Sequence, residues 1–241
     1  MSPERWIAEL DFEHRAHLSE WMDEPCSYED FRACLRDLAQ VNVLTFAHRP
    51  TLKWLEQFAD AKRTLHIVDV GCGGGDMLRA IERWAADEGV AVRLTGIDLN
   101  PYAAQAAHEF TSSTSRIEWV TGDAFSWQTP VPIDIVISSL FTHHLPHAEI
   151  VHFLQWMEST AQLGWFINDL YRAHTPYRAF TALAWAMRWH RFVRHDGPVS
   201  IRRAFREDDW QGYLAQAEIA PNAVEITGYW PARLCVSRVR R

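Results

Sequence analysis

The sequence predicts an α/β fold, a mostly parallel sheet covered by helices, and three observations lead to it. From Thr64 onward, short apolar runs alternate with amphipathic stretches, the pattern of βαβ units whose strands are buried on both faces. The first run leads straight into a glycine-rich turn, Asp69-Val70-Gly71-Cys72-Gly73-Gly74-Gly75-Asp76, and then into a helical stretch. The 241 residues, 48% apolar and 23% charged, suffice for one large domain with its own core.

Residues 1–63 are expected to form a helical N-terminal extension or cap. Phe31, Leu35, Leu38, Val41 and Leu44 recur at helical spacing, and Leu52, Trp54, Leu55 and Phe58 follow the break at Pro50. Residues 64–241 hold the α/β domain, with strands expected over 65–70, 92–98, 117–121, 133–138 and 165–169 and weaker candidates at 224–228 and 234–239. In the helix between the first two strands, Asp76 is placed to cap the start and Gly89 to end it. Asn100-Pro101 supplies an N-cap and a first-turn proline to the next helix.

Between the fifth and sixth strands, over 172–217, the chain inserts more helix than a crossover needs. A helix is expected over 176–193, then a loop holding His195-Asp196-Gly197-Pro198, then a helix over 206–217. The first is apolar nearly all round, with Tyr177, Phe180, Leu183, Trp185, Met187, Trp189 and Phe192, so two buried faces are expected. With the N-terminal helices it would cap an acceptor pocket or supply a homodimer surface.

Acidic residues exceed basic ones, 31 to 24, for a formal charge of −7, which argues against a nucleic-acid partner. No apolar run is long enough for a membrane span and the charged opening is unlike a signal peptide, so a cytoplasmic protein is expected. Cys26, Cys34, Cys72 and Cys235 form no C-x-x-C pair, so no metal site is spelled out and free thiols are expected. The 12 tryptophans suggest that something large and flat is handled.

The glycine turn fails as a dinucleotide fingerprint, because its sixth position is Asp76, and a carboxylate there would oppose a pyrophosphate. Asp98, in Gly96-Ile97-Asp98-Leu99, ends the second strand and can accept hydrogen bonds from ribose hydroxyls. Asp123, in Gly122-Asp123-Ala124-Phe125, ends the third and can read the edge of an adenine. Ligands bind outside the carboxyl ends of parallel strands, so these groups converge on one crevice, and the implied ligand is an adenosine without phosphates.

Over residues 64–169 the sequence resembles the class I S-adenosylmethionine-dependent methyltransferases. The resemblance implies a Rossmann-like, doubly wound sheet, mostly parallel with an antiparallel C-terminal strand, and S-adenosylmethionine as cofactor. It implies that Gly71, Gly73 and Gly75 wrap the methionine part, with Asp69 near its ammonium group. Asp98 with Leu99 would hold the ribose, and Asp123 with Ala124 the adenine. The fourth motif runs from Asp134 through Ser138, Ser139, Leu140, Phe141, Thr142, His143, His144 and Leu145 to Pro146. It is similar to the ubiquinone and menaquinone methyltransferase type, which places Ser139 and the following loop between cofactor and acceptor. It lacks the proline of the motif used on exocyclic base amines. Asp134 starts its strand, away from the ligand edge, and is read as structural.

The expected activity is therefore methylation of a small-molecule acceptor, on oxygen of an aromatic, polyketide-derived or quinone-like compound, with carbon or nitrogen methylation and a non-catalytic cofactor-binding subunit as alternatives. His143 and His144 follow the fourth strand and are the candidates for a general base, His144 favoured; His174 and His195 of the insertion are less fixed in position. Asp169, ending the fifth strand, either orients a histidine, touches the acceptor or caps its loop. Asp169 and Trp185 are the candidate acceptor contacts.

Overall fold

A computed structural model describes residues 10–59 and 62–240. Its centre is a seven-stranded sheet in the order β3-β2-β1-β4-β5-β7-β6. The strands are β1 (Leu65–Val70), β2 (Val92–Asp98), β3 (Glu118–Thr121), β4 (Ile135–Ser139), β5 (Gly164–Leu170), β6 (Val224–Tyr229) and β7 (Arg233–Val239). β1 to β5 pair in parallel, whereas β7 runs antiparallel to both β5 and β6. β1 lies between β2 and β4 and is buried along its whole length, its apolar residues Leu65, Ile67, Val68 and Val70 together with His66 and Asp69. From β1 the chain winds outward to β3 and then returns to start β4 on β1's other edge. The strand order therefore reverses between β1 and β4, and a crevice opens above their carboxyl ends.

Helices cover both faces: α1 (Tyr28–Leu44), α2 (Arg49–Leu55), α3 (Asp76–Glu88), α4 (Ala103–Phe110), α5 (His147–Thr160), α6 (His174–Ala186), α7 (Arg191–Arg203) and α8 (Glu207–Gln216). One core layer joins Val68, Val136, Phe153, Trp165, Phe205 and Trp210; the other joins Trp54, Leu55, Ile67, Leu78, Ile81 and Phe166. A smaller cluster packs Cys34 and Val41 of α1 against Ala184, Trp189, Phe192 and Val193 of the insertion. Trp54, Trp165, Trp189 and Trp210 are thus packing residues. All four cysteines are free, and no described helix is long and apolar enough to cross a membrane.

The insertion differs from expectation. The apolar stretch over 176–193 is two helices, broken after Ala186, where Arg188 takes a left-handed φ of 54°. Its apolar residues therefore serve two elements, and α6 itself buries only Ala184 fully. Conversely, Asp196-Gly197-Pro198 is no loop but lies inside α7. Gly197 is needed there because Phe180 of α6 rests against its backbone, where a Cβ would overlap the ring. Two capping expectations also shift. Gly75 is the N-cap of α3, and Asp76, at the first helical position, turns its carboxylate to Asn42 and His48. α4 begins at Ala103, and Asn100 organises the preceding turn by accepting from the Tyr102 N–H at 2.9 Å.

Residues 12–23 cross the insertion and the loop after β4. Arg172, fully buried, donates to the carbonyls of Phe12 and Glu13 and to Asp209. Arg15 donates to the carbonyls of Arg203, His143 and Leu145 and to the Tyr213 hydroxyl. These contacts draw the segment across the top of the sheet.

Candidate active site

A cavity of about 390 Å³ occupies the crevice at the switch point. Its floor is the turn after β1, with Gly71, Cys72, Gly73 and Gly74 in the lining. Gly75, expected among the ligand-wrapping glycines, does not line it. Its φ of 74° and its contact with Trp119, whose ring a Cβ would overlap, make it a packing glycine.

Asp98 lines the cavity at the end of β2, Oδ2 accepting from the Gly73 N–H at 2.8 Å and Oδ1 from the Asn100 N–H at 2.9 Å. Each oxygen keeps accepting capacity for a ligand hydroxyl. Burial raises its pKa, and the two N–H donors offset only part of that rise. Leu99, 69% exposed, stands in the lining beside it, an apolar surface at the mouth of a polar site. Asp123, Ala124 and Phe125 line the far end, and Asp123 Oδ1 accepts from the Phe125 N–H at 3.0 Å. Ser139 completes the β4 side.

Asp69 lies behind the turn and outside the lining, 1% exposed, and Oδ1 has no hydrogen-bond partner. Burial, with the charges of Asp76 and Asp98, pushes its pKa well above the usual carboxylate range. Such an orphaned acid suits a cation arriving from the cavity.

The roof comes from the N-terminal segment: Met22 and Asp23, then Phe31, Leu35, Leu38 and Asn42 of α1. Leu140, Phe141, His144 and Leu145 close the side after β4. The insertion packs behind α1 and contributes no lining residue. Trp185, a candidate acceptor contact, is 64% exposed on α6 with the Arg194 guanidinium over its ring at 4.8 Å. No described tryptophan lines the cavity.

His143 and His144 occupy one 3₁₀ turn, Thr142–His144, but different environments. His143 is buried, with Nδ1 2.7 Å from Asp169 Oδ1. Asp169 also accepts from the Thr142 hydroxyl and the His143 N–H and is fully buried outside the lining. It holds a histidine and does not face the cavity. His144 does line it, and its Nδ1 lies 2.9 Å from Asp23 Oδ1. Burial depresses the His144 pKa, but the Asp23 hydrogen bond and the charge of Glu20 outweigh it and raise the value. Asp134, as read from the sequence, is structural: it accepts from the His66 N–H and pairs with Arg63.

Comparison with known proteins agrees with this geometry. Residues 67–163 match the family model described as a methyltransferase domain. The plantazolicin methyltransferase BpumL in complex with SAH superposes with a TM-score of 0.62 at 14% identity, over 87% of this chain and 88% of that one. Human N-acetylserotonin methyltransferase in complex with SAM gives 0.60 at 14% identity, over 89% and 56%. Residues 67–163 are a class I, S-adenosylmethionine-dependent methyltransferase domain. Among sequence relatives of this methyltransferase domain, trans-aconitate 2-methyltransferase of Streptomyces avermitilis is 28% identical over 58% of this chain and 54% of its own. Ubiquinone biosynthesis O-methyltransferase of Leptothrix cholodnii is 30% identical over 46% and 44%. The chain thus spans about half the length of these curated relatives.

S-adenosylmethionine fits the residues of the methyltransferase domain: Asp69 Oδ1 lacks a cation, Asp98 has accepting capacity left, and no phosphate must be accommodated beside Asp76. Sequence reasoning missed Glu20, Asp23 and Arg203. Glu20, 3% exposed, stands 3.7 Å from His143 Nε2 and 3.8 Å from His144 Nε2. Arg203 pairs with Asp23 at 2.9 Å and donates to the carbonyls of His143 and His144. No local pattern marks these residues: Glu20 and Asp23 meet the histidines through the crossing of residues 12–23, and Arg203 reaches them from α7.

Proposed function

We propose that the chain is a small-molecule methyltransferase that methylates an oxygen of an aromatic, polyketide-derived or quinone-like acceptor. The lining of the cavity carries this reading. Met22, Leu38, Leu140, Phe141 and Leu145 are apolar, while Asp23, Asp98, Asp123 and Glu149 are acidic. Among the described lining residues the basic groups are Arg79, which donates to the Gly74 carbonyl and the Thr111 hydroxyl, and His144. A polyanion such as aconitate would meet mainly like charge there, whereas a flat, weakly charged ring matches the apolar wall.

When bound, S-adenosylmethionine supplies an electrophilic methyl carbon on a sulfonium sulfur. The chain's part is mostly positional: Asp69, the glycine turn, Asp98 and Asp123 orient the donor, and the apolar roof orients the acceptor and excludes water. A phenolic hydroxyl, with a pKa of about 10, gains from a base beside it. His144 takes up that proton, and Asp23 stabilises the imidazolium formed.

The test is turnover of S-adenosylmethionine with a panel of phenols, hydroquinones and trans-aconitate, with the methylated atom located by NMR. O-Methylated phenol or hydroquinone is the expected product. Turnover confined to trans-aconitate, or methyl found on carbon or nitrogen, would overturn the acceptor reading.

A further inference from the structure

Glu20 and Asp23 reach the histidines on or beside the 3₁₀ turn Trp21–Asp23, and α7 holds that turn from outside the cavity. Asp196 Oδ1 accepts from the Trp21 N–H at 2.9 Å, and Oδ2 from the Met22 N–H at 3.0 Å. Asp196 is buried, and its Oδ1 also lies 2.7 Å from His195 Nδ1. The Trp21 indole lies flat on the His195 ring, 3.9 Å between centroids and 5° between planes. Neither Asp196 nor His195 lines the cavity. One carboxylate accepting two consecutive backbone N–H groups fixes both the place and the tilt of the turn.

The consequences of that seating run straight to His144. Its Nδ1–H donates to Asp23, which leaves Nε2 as the proton-accepting nitrogen, with Glu20 beside it. The other charged groups around the ring are Arg203 of α7, which approaches both carboxylates, His143 with Asp169 behind it, and Asp98 and Glu149 on the cavity wall. Arg15 reaches the carbonyls of His143 and Leu145. Glu20, His143 and His144 also lie close enough to share a cation. The guanidinium of Arg203, 3.4 Å from Glu20 Oε1, already places positive charge there.

We propose that Asp196, Glu20 and Asp23 are positioning residues for His144: Asp196 docks the N-terminal turn, and the docked turn delivers the two carboxylates that fix the ring and set its basicity. The proposal rests on the reading of His144 as acceptor of the substrate proton. With the turn unseated, His144 keeps Arg203 as its charged neighbour and loses both carboxylates, so it is a weaker base with an unfixed ring. The acceptor's proton would pass to Nε2 as the oxygen–carbon bond forms and the methyl–sulfonium bond breaks, its electron pair left on the departing thioether sulfur, and the imidazolium would be stabilised only while the turn is down.

Asp196→Asn and Trp21→Ala each loosen the turn without altering the cavity wall, and the exposed Trp21 can be removed without opening the core. For each, three readings are taken on the full chain: the His144 titration midpoint by NMR, assigned with His144→Gln; kcat and KM against pH; and S-adenosylmethionine affinity by calorimetry. The expected result is a His144 midpoint lowered by roughly one unit, with the acid limb of kcat moved down to match. Turnover at neutral pH should fall by about tenfold with cofactor affinity within about twofold. An unchanged midpoint and acid limb in both variants overturns the proposal. Wild-type turnover by His144→Gln fails the proton-acceptor reading on its own, and is a separate result from the midpoint comparison.

Discussion

Asp169 Oδ1 and His143 Nδ1 are joined at 2.7 Å between two buried side chains, while the adjacent His144 lines the cavity. Two neighbouring histidines therefore sit in separate settings, one anchoring the loop after β4 to β5 and the other facing the cavity.

Replacing Asp169 with Asn should cost about 3 kcal/mol at neutral pH, the usual result of leaving a buried partner uncompensated. Burial pushes the Asp169 pKa up, but the charge and hydrogen bonds of His143 and Thr142 hold it well below 3.8. A depressed carboxylate stabilises the fold above its unfolded value, and that contribution is lost as pH falls below it toward the folded value. Thermal unfolding between about pH 3 and 7 should accordingly show a smaller acid-side loss in the Asn variant than in the wild type.

Asp69→Asn should act in the opposite sense on stability. The Asp69 pKa is raised by burial and by Asp76 and Asp98, so its ionised form destabilises the free protein as pH rises through the raised value. The neutral variant should be more stable than the wild type at about pH 8, by about 1 kcal/mol. It should also bind S-adenosylmethionine at least about tenfold more weakly, through loss of a charged contact. Tm and calorimetry on the same samples check both; a variant equal to the wild type in cofactor affinity would remove Asp69 from the site.

Asp98→Ala should weaken cofactor binding by roughly 1.5 to 3 kcal/mol. Because the Asp98 pKa lies above the ordinary 3.8, wild-type affinity should begin to fall at a higher pH than an exposed aspartate would give. The alanine variant should lack that acid-side decline.

His144→Gln should lower turnover about 10²-fold, with partial recovery at high pH and with cofactor affinity preserved. The raised His144 pKa means that its pairing stabilises the fold below the unfolded value and that this contribution is lost as pH rises through the folded value. Turnover runs the other way, increasing as the ring deprotonates. His143→Gln should instead lower Tm first, because it strips Asp169 of its partner. Rates and Tm across pH for the two variants separate the roles; equal Tm losses and equal rates would refute them.

Much of this arrangement is local and was legible in the chain. The seven strands, the glycine turn, Asp98 at the end of β2 and Asp123 just past β3 follow from apolar runs and from the rule that parallel strands point one end at the ligand. The same logic separates Asp134, just before β4, from the site.

Tertiary contacts decided the rest. The break at Arg188 and the helical path through Gly197 depend on how α6 and α7 press on each other, and turn propensity there is overridden by packing. Glu20, Asp23 and Arg203 carry no motif, and Asp23 meets His144 and Arg203 across 121 and 180 residues of sequence. Strand-end acids are placed by their own strand, so periodicity reveals them. A charge cluster assembled from a crossing segment, a loop and an inserted helix exists only after those three have docked.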